Sequence, residues 1–334
     1  MATLQKEFIQ FHENIKIGTY DENSDLREKR DLLVTELKNA LTAEKIPGTD
    51  KPLTFSKFDQ GSYAMNTGIK PQKGEYDIDV GIVFDISNDE YESHKLKKLV
   101  RDTLNKHHNR TVTYNRPCIT VEYASGYHVD LPIYSNNDGN YHLAWGKEHS
   151  NGDRQWEPSD PKGLTQWVKG IGTDEESKKQ YRRCIRALKK WKEKAFALDG
   201  NAAPPSIGLT IQAGQYFTYS EDNDLAALIN IVRNLKSSFI QIYDAETDCV
   251  LWSASCYLPV TPHKNVYYKM TKKQIDTFYH RLLSLLEALE AAQSEGSAYE
   301  ASKILRKVFG PDFPQLEDSK ATKTVPFVPT GNNA

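Results

Sequence analysis

The chain has 334 residues, 38% hydrophobic and 26% charged, which reads as a soluble globular protein long enough for two lobes. Its 43 basic and 45 acidic residues leave a net charge of -2; this excludes a bulk electrostatic nucleic-acid binder but not a small basic pocket for a triphosphate. No apolar run approaches the ~20 residues needed to span a bilayer, and MATLQKEFIQFHENIKIG lacks a signal-peptide layout, so no membrane partner and a cytoplasmic location are expected.

Residues 24–44 carry Leu26, Leu32, Leu33, Leu37 and Leu41 at helical spacing, and Ser24 is the candidate N-cap. A strand-rich region follows. Leu53–Phe58 alternates weakly, whereas YDIDVGIVF at Tyr76–Phe84 alternates clearly, with Ile78, Val80, Ile82 and Phe84 on one face and Asp77, Asp79, Gly81 and Val83 on the other. A helix is expected over Glu92–His107, then strands at Arg110–Asn115, Ile119–Tyr123 and Tyr127–Tyr134. In the last strand, Asp130 alternates with the apolar Val129 and Leu131.

Beyond about residue 155 the pattern becomes helical. Thr173-x-x-Glu176 reads as a capping box opening a helix over Asp174–Phe196. Asn201–Pro205 breaks it, and helices are expected at Ser206–Phe217, Asn223–Lys236, Lys272–Ala292 and Ser297–Phe309. Residues 315–334 are polar with scattered Pro, Gly and Asn, the composition of a flexible tail. The expected fold class is α+β: a catalytic lobe with a mixed β-sheet over 1–155, whose N-terminal helices can pack on the second lobe, and a helical lobe over 156–314. The cysteines Cys118, Cys184, Cys249 and Cys256 form no CxxC pair, and free buried thiols are expected; Cys249, Cys256 and His263 fit no common zinc spacing.

The chemistry gathers around three aspartates. Asp77 and Asp79 project from one strand face, close enough to repel each other unless a cation intervenes. Asp130, flanked by core residues on another strand, is the candidate third ligand. Hard carboxylate oxygens suit two Mg²⁺ or Mn²⁺ ions, and such a site can run an in-line phosphoryl displacement in which Asp130 accepts the nucleophile's proton. Upstream, Gln60-Gly61-Ser62 sits between a strand and a short helix. Gly61 lets the backbone approach a phosphate, and the helix start and the Ser62 hydroxyl can bind its oxygens.

FDQGSYAMNT, YDIDVGIVF and GYHVDLPIY together resemble the DNA polymerase β-like nucleotidyltransferase superfamily, and within it the bacterial cGAS/DncV-like nucleotidyltransferases. The resemblance spans roughly residues 50–310, helped by LPVTPHKNVYYKMTKKQIDTF. It implies a two-lobed fold with the active site in the cleft. Gly61 and Ser62 match the family's Gly-Ser, and Asp77, Asp79 and Asp130 match its metal ligands. In RRCIRALKKWK, Lys189 matches the triphosphate contact, with Lys190 as the alternative and Arg182 and Arg183 as weaker candidates; Ser206 resembles a second such contact.

By this resemblance the chain joins ATP or other NTPs into a cyclic di- or trinucleotide with release of pyrophosphate. The product would reach a downstream effector in bacterial anti-phage (CBASS) signalling, and an ubiquitin-activating-like enzyme would act on the C-terminus at Ala334. No clustered His/Cys insertion and no basic surface are present, so no long nucleic-acid activator is expected. Tyr181 and Tyr216 are candidates to stack on bases. Two other readings stand beside this one: a nucleotidyltransferase with a linear product, acting on an RNA end, a small molecule or a protein, and a catalytically degenerate nucleotide-binding module. The slightly acidic chain disfavours an RNA-end enzyme, and the intact aspartates disfavour the degenerate module.

Overall fold

The alternation in Tyr76–Phe84 sets the architecture. Ile78, Val80, Ile82 and Phe84 are fully buried on one face of the strand, which turns Asp77 and Asp79 to the other. The computed structural model describes residues 4–17, 21–71, 76–106, 109–150, 152–197 and 203–318. Helices α1 (Gln5–Ile15) and α2 (Asp21–Ala40) lead into strand β1 (Phe55–Gln60), the four-residue helix α3 (Gly61–Ala64) and strand β2 (Tyr76–Phe84). Helix α4 (Ser93–Leu104) precedes β3 (Arg110–Tyr114), β4 (Ile119–Tyr123), β5 (Tyr127–Leu131), β6 (Ile133–Asn137), β7 (Asn140–Trp145) and β8 (Gln155–Ser159). Then come α5 (Pro161–Lys169), α6 (Glu175–Ala195), α7 (Ser206–Tyr216), α8 (Asp224–Ser237), β9 (Ile240–Asp244), β10 (Cys249–Ser253), α9 (Lys272–Ser294) and α10 (Ala298–Phe309).

One mixed sheet runs β3-β4-β5-β2-β6-β7-β8, with β1 antiparallel to β2. Its apolar face packs on α2 and α4 through Leu26, Leu33, Leu37, Leu96 and Val100. A second core gathers α6 to α10 around Leu188, Leu228, Phe278 and Phe309. Helix α1 joins this second core, where Phe11 meets Phe309 and Phe313 with ring centroids 5.0 and 5.2 Å apart. Burial of each such ring contributes roughly 1.5–3 kcal/mol, so α1 is held firmly to the helical side. Met65, just after α3, is buried in the same second core, which ties the end of that short helix to the helical lobe. Among the described residues no helix is long and apolar enough to cross a membrane.

Several expectations shift. Helix α2 begins at Asp21, so Ser24 lies inside it and is not its N-cap. Leu32, placed by spacing on the apolar stripe, is 51% exposed, because the stripe follows Leu26, Leu33, Leu37 and Leu41. The strand read across Tyr127–Tyr134 is interrupted at Pro132, which has no N–H to give a ladder, yet β5 and β6 keep one register along β2, with Tyr127 opposite Tyr76 and Ile133 opposite Ile82. The capping box of α6 is one residue later than expected: Asp174 accepts from the Ser177 amide at 2.8 Å, and Ser177 Oγ accepts from the Asp174 amide at 3.1 Å. The hairpin β9–β10 stands among the helices of the second lobe, where only helices were expected. Cys249 is exposed, whereas the other three thiols are buried. From residue 319 the expected tail, with Ala334, lies outside the described residues, as do residues 198–202 at the break before α7.

Candidate active site

Four strands carry the site in one row. Asp79 on β2 lies opposite Gln60 at the end of β1 and opposite Asp130 on β5, and Asp130 lies opposite Thr120 on β4. Residues opposite each other in a sheet point to the same face, so the two carboxylates share a surface. Asp77, two residues earlier on β2, shares that face and is exposed. Thr120 Oγ1 donates to Asp130 Oδ1 and itself accepts from Asn115 Nδ2 at 2.8 Å, a relay that fixes the Asp130 carboxylate. The Asp79 carboxyl is pushed up to about 7, first by burial and then by the negative charges of Asp130 and Asp77.

Gly61 makes the closest approach. Its φ is +68°, in the left-handed region, and a Cβ there would stand 1.8 Å from Asp79 Oδ2. Glycine therefore lets the Gln60–Ser62 turn lie directly against the carboxylate. Tyr134 OH donates to Gln60 Oε1 at 3.0 Å, which orients the Gln60 amide beside that turn.

The facing wall is helix α6. Lys189 is 6% exposed, and its Nζ donates to Thr67 O at 2.9 Å and to Thr67 Oγ1 at 3.1 Å. Its ammonium is pushed down to about 7 by burial and by the neighbouring Arg186 and Lys192, while Asp79 pulls the other way. Lys192 Nζ donates at 2.6 Å to Ser206 Oγ, at the first residue of α7. Gln60, Gly61, Ser62, Thr67, Asp79, Lys189 and Ser206 all line one cavity of about 280 Å³ between the lobes. Carboxylates thus gather on the sheet wall and cations on α6, and Asp79 and Lys189 are each shifted toward the neutral form. A magnesium–triphosphate would offset both at once.

The carboxylate donors fit a hard dication in kind and in position. Among the described residues, though, no three of His, Cys, Asp or Glu already stand together as a metal site. Asp79 and Asp130 share one face of the sheet, where a hard dication would neutralise the carboxylates.

Residues 56–134 match the family described as "Cyclic GMP-AMP synthase DncV-like, nucleotidyltransferase domain". A curated Cyclic GMP-AMP synthase from Escherichia albertii is 26% identical over 193 residues, 54% of this chain and 42% of that protein. The match thus spans less than half the length of that relative. Among solved structures, Vibrio cholerae DncV cyclic AMP-GMP synthase in complex with the linear intermediate 5′ pppA(3′,5′)pG gives a TM-score of 0.69 at 20% identity, covering 92% of this chain and 97% of that one. The Vibrio cholerae di-nucleotide cyclase (DncV) in complex with GTP and 5MTHFGLU2 gives 0.69 at 19% identity, covering 91% and 96%. At these identities the structural likeness is one of fold. Residues 56–134 are thus similar to the nucleotidyltransferase domain of DncV-like enzymes, and the chain shares the DncV fold.

Other candidates stand elsewhere. Lys190 turns away from the cleft, to Asp312 at 2.8 Å and Glu193 at 3.6 Å. Arg183 forms a buried pair with Asp224 of α8, inside the helical lobe. Tyr181 is not available to stack on a base: it is 1% exposed, its OH donates to Thr210 O at 2.9 Å, and its ring packs on Phe217. Tyr216 is half-buried against the helical core. Sequence reasoning missed Arg186, Lys192, Thr67, Thr120 and Tyr134. Arg186 and Lys192 were reachable, since they lie three residues either side of Lys189 on one helix face. The others depend on register and tertiary contact.

Proposed function

We propose that this chain joins nucleoside triphosphates into a cyclic di- or trinucleotide, releasing pyrophosphate at each step, with ATP among its substrates. The observation that carries this reading is Asp79, with Asp130 opposite it on β5 and Asp77 on the same strand, set against Lys189 in a cavity that Gly61, Ser62 and Ser206 also line. The relatives' nucleotide ligands and the linear intermediate bound to DncV support the same class of reaction.

Asp77, Asp79 and Asp130 would hold two Mg²⁺ or Mn²⁺ ions. When bound, such ions lower the pKa of an attacking hydroxyl and neutralise a leaving pyrophosphate. The protein's own groups do the rest. Gly61 and Ser62 grip phosphate oxygens through the backbone and the hydroxyl, and the Gln60 amide orients beside them. Lys189 and Ser206 hold the triphosphate from the opposite wall. Asp130, kept in place by Thr120, accepts the proton of the nucleophilic 2′- or 3′-hydroxyl. We assign the biological role to bacterial anti-phage signalling through a downstream effector, and the C-terminus to coupling by an ubiquitin-activating-like enzyme; both rest on the sequence resemblance.

The double variant Asp77→Ala/Asp79→Ala tests the site. It should fold at least as well as wild type, because removing clustered like charges relieves repulsion. Pyrophosphate release from NTPs with Mg²⁺ should disappear. Normal turnover by a folded double variant would overturn the assignment.

A further inference from the structure

Three successive carbonyls follow the Gly-Ser helix, and all three are taken by cations of α6. Arg186 Nη2 donates to Asn66 O at 2.7 Å and its Nε donates to Gly68 O at 2.9 Å. Lys189 takes Thr67 O, between them. The amides of the same turn point back into α3: Met65 N donates to Gly61 O at 3.1 Å and Thr67 N donates to Ser62 O at 2.9 Å. The turn is therefore a bracket. One side holds Gly61 and Ser62, and the other is fastened to the helical lobe.

Further contacts fasten the same segment. Met65 lies in the helical core. Lys70 N donates to Ile15 O of α1 at 2.8 Å, and Gly68 sits so close to Ile17 that an added Cβ would stand 2.7 Å from its Cδ1. Asn66 holds φ +55°, a conformation the flanking bonds must maintain. Among the cations of α6, Arg186 alone spans two carbonyls with its planar fork, which a lysine cannot reproduce. Burial and Arg182 push its guanidinium down to about 10. A cation held there against that penalty is retained by its two carbonyl partners.

We infer that Arg186 is a positioning residue, which sets the phosphate-gripping turn at Gly61–Ser62 by clamping Asn66 and Gly68 to the helical lobe. This rests on the proposed function for the ligand but not for the clamp. A preset turn spends less binding energy on ordering itself, so its loss weakens nucleotide binding more than it slows the bound complex.

The test uses the full chain and two variants, Arg186→Met and Arg186→Lys. In nucleotide-free protein, amide exchange at Met65 and Thr67 should rise at least tenfold in Arg186→Met and by less in Arg186→Lys, with α9 unchanged. For ATP with Mg²⁺, KM should rise by roughly 10- to 100-fold in Arg186→Met while kcat falls less than about threefold, and Arg186→Lys should recover part of the loss. If Met65 and Thr67 exchange as in wild type in both variants, the clamp is wrong. If KM is unchanged while kcat collapses, Arg186 is not a positioning residue of this kind. Wild-type protein that neither binds ATP nor releases pyrophosphate would sink the proposed function instead, and the exchange data would still decide the clamp.

Discussion

Replacing Gly61 with alanine puts a methyl carbon where Asp79 already is. The added Cβ would stand 1.8 Å from Asp79 Oδ2 and 2.6 Å from its Cγ, whereas ordinary contact begins at 3.4 Å. The carboxylate must therefore retreat by more than an ångström or the turn must open. Alanine also pays about 1–2 kcal/mol to hold the left-handed φ. Gly48 separates the two costs, because its φ is +74° with nothing within 4 Å of a Cβ. Both Gly61→Ala and Gly48→Ala should lose about 1–2 kcal/mol of stability in urea unfolding from the backbone alone. Only Gly61→Ala should also lose activity. A misplacement of about 1 Å can cost ~100-fold, so pyrophosphate release should fall at least that far. Gly48→Ala should retain wild-type turnover. If Gly61→Ala turns over normally, Asp79 does not act from the position described, and the reasoning fails.

Two further outcomes concern stability. His12 of α1 is pushed down to about 4, by burial first and then by Arg186, with Lys16 and Arg183 adding and Glu13 opposing. Its folded pKa lies below the ordinary 6.5, so its contribution is complete above pH 6.5 and is lost as pH falls toward 4; allowing for partial exposure this amounts to about 2 kcal/mol. Denaturant titrations of His12→Gln should show a correspondingly weaker acid destabilisation between pH 7 and 4.5, and an unchanged slope would refute it. Lys97 is fully buried and donates to Asn115 O at 2.6 Å and Arg116 O at 2.8 Å, over the Tyr114 ring at 4.4 Å. Lys97→Met should lose roughly 3 kcal/mol because Asn115 O loses its ammonium donor and Arg116 O keeps only the Gly146 amide, at 3.0 Å; a loss below about 1 kcal/mol in urea unfolding would contradict that role.

Much of the geometry of the candidate site was legible because its signals are local. A period of two put Asp77 and Asp79 on one face, and an Asp between Val129 and Leu131 marked a strand at the edge of a core. The family motifs then tied these to Gly61 and Ser62. What failed involved competing local choices or distant contact. Thr173 and Asp174 are both good caps, and Ser177 rather than Glu176 closed the box. Pro132 sits within a strand pattern, and only the pairing with β2 shows that the register survives it. Helix α1 carries Phe8, Phe11 and Ile15 at helical spacing, a readable stripe, but its docking against Phe309 and Phe313 is set by residues almost 300 positions away. The grip of Arg186 and Lys189 on residues 66–68 joins segments about 120 residues apart. No periodicity encodes that, although their spacing on α6 marks the face they share.

The most direct test of the central claim is product analysis. Purified protein is incubated with all four NTPs and Mg²⁺ or Mn²⁺, treated with phosphatase, and the products are weighed by mass spectrometry. A phosphatase-resistant product with the mass of a cyclic di- or trinucleotide is predicted. Products that are only linear and carry phosphatase-sensitive ends, or no nucleotide product from protein that binds ATP, would contradict it.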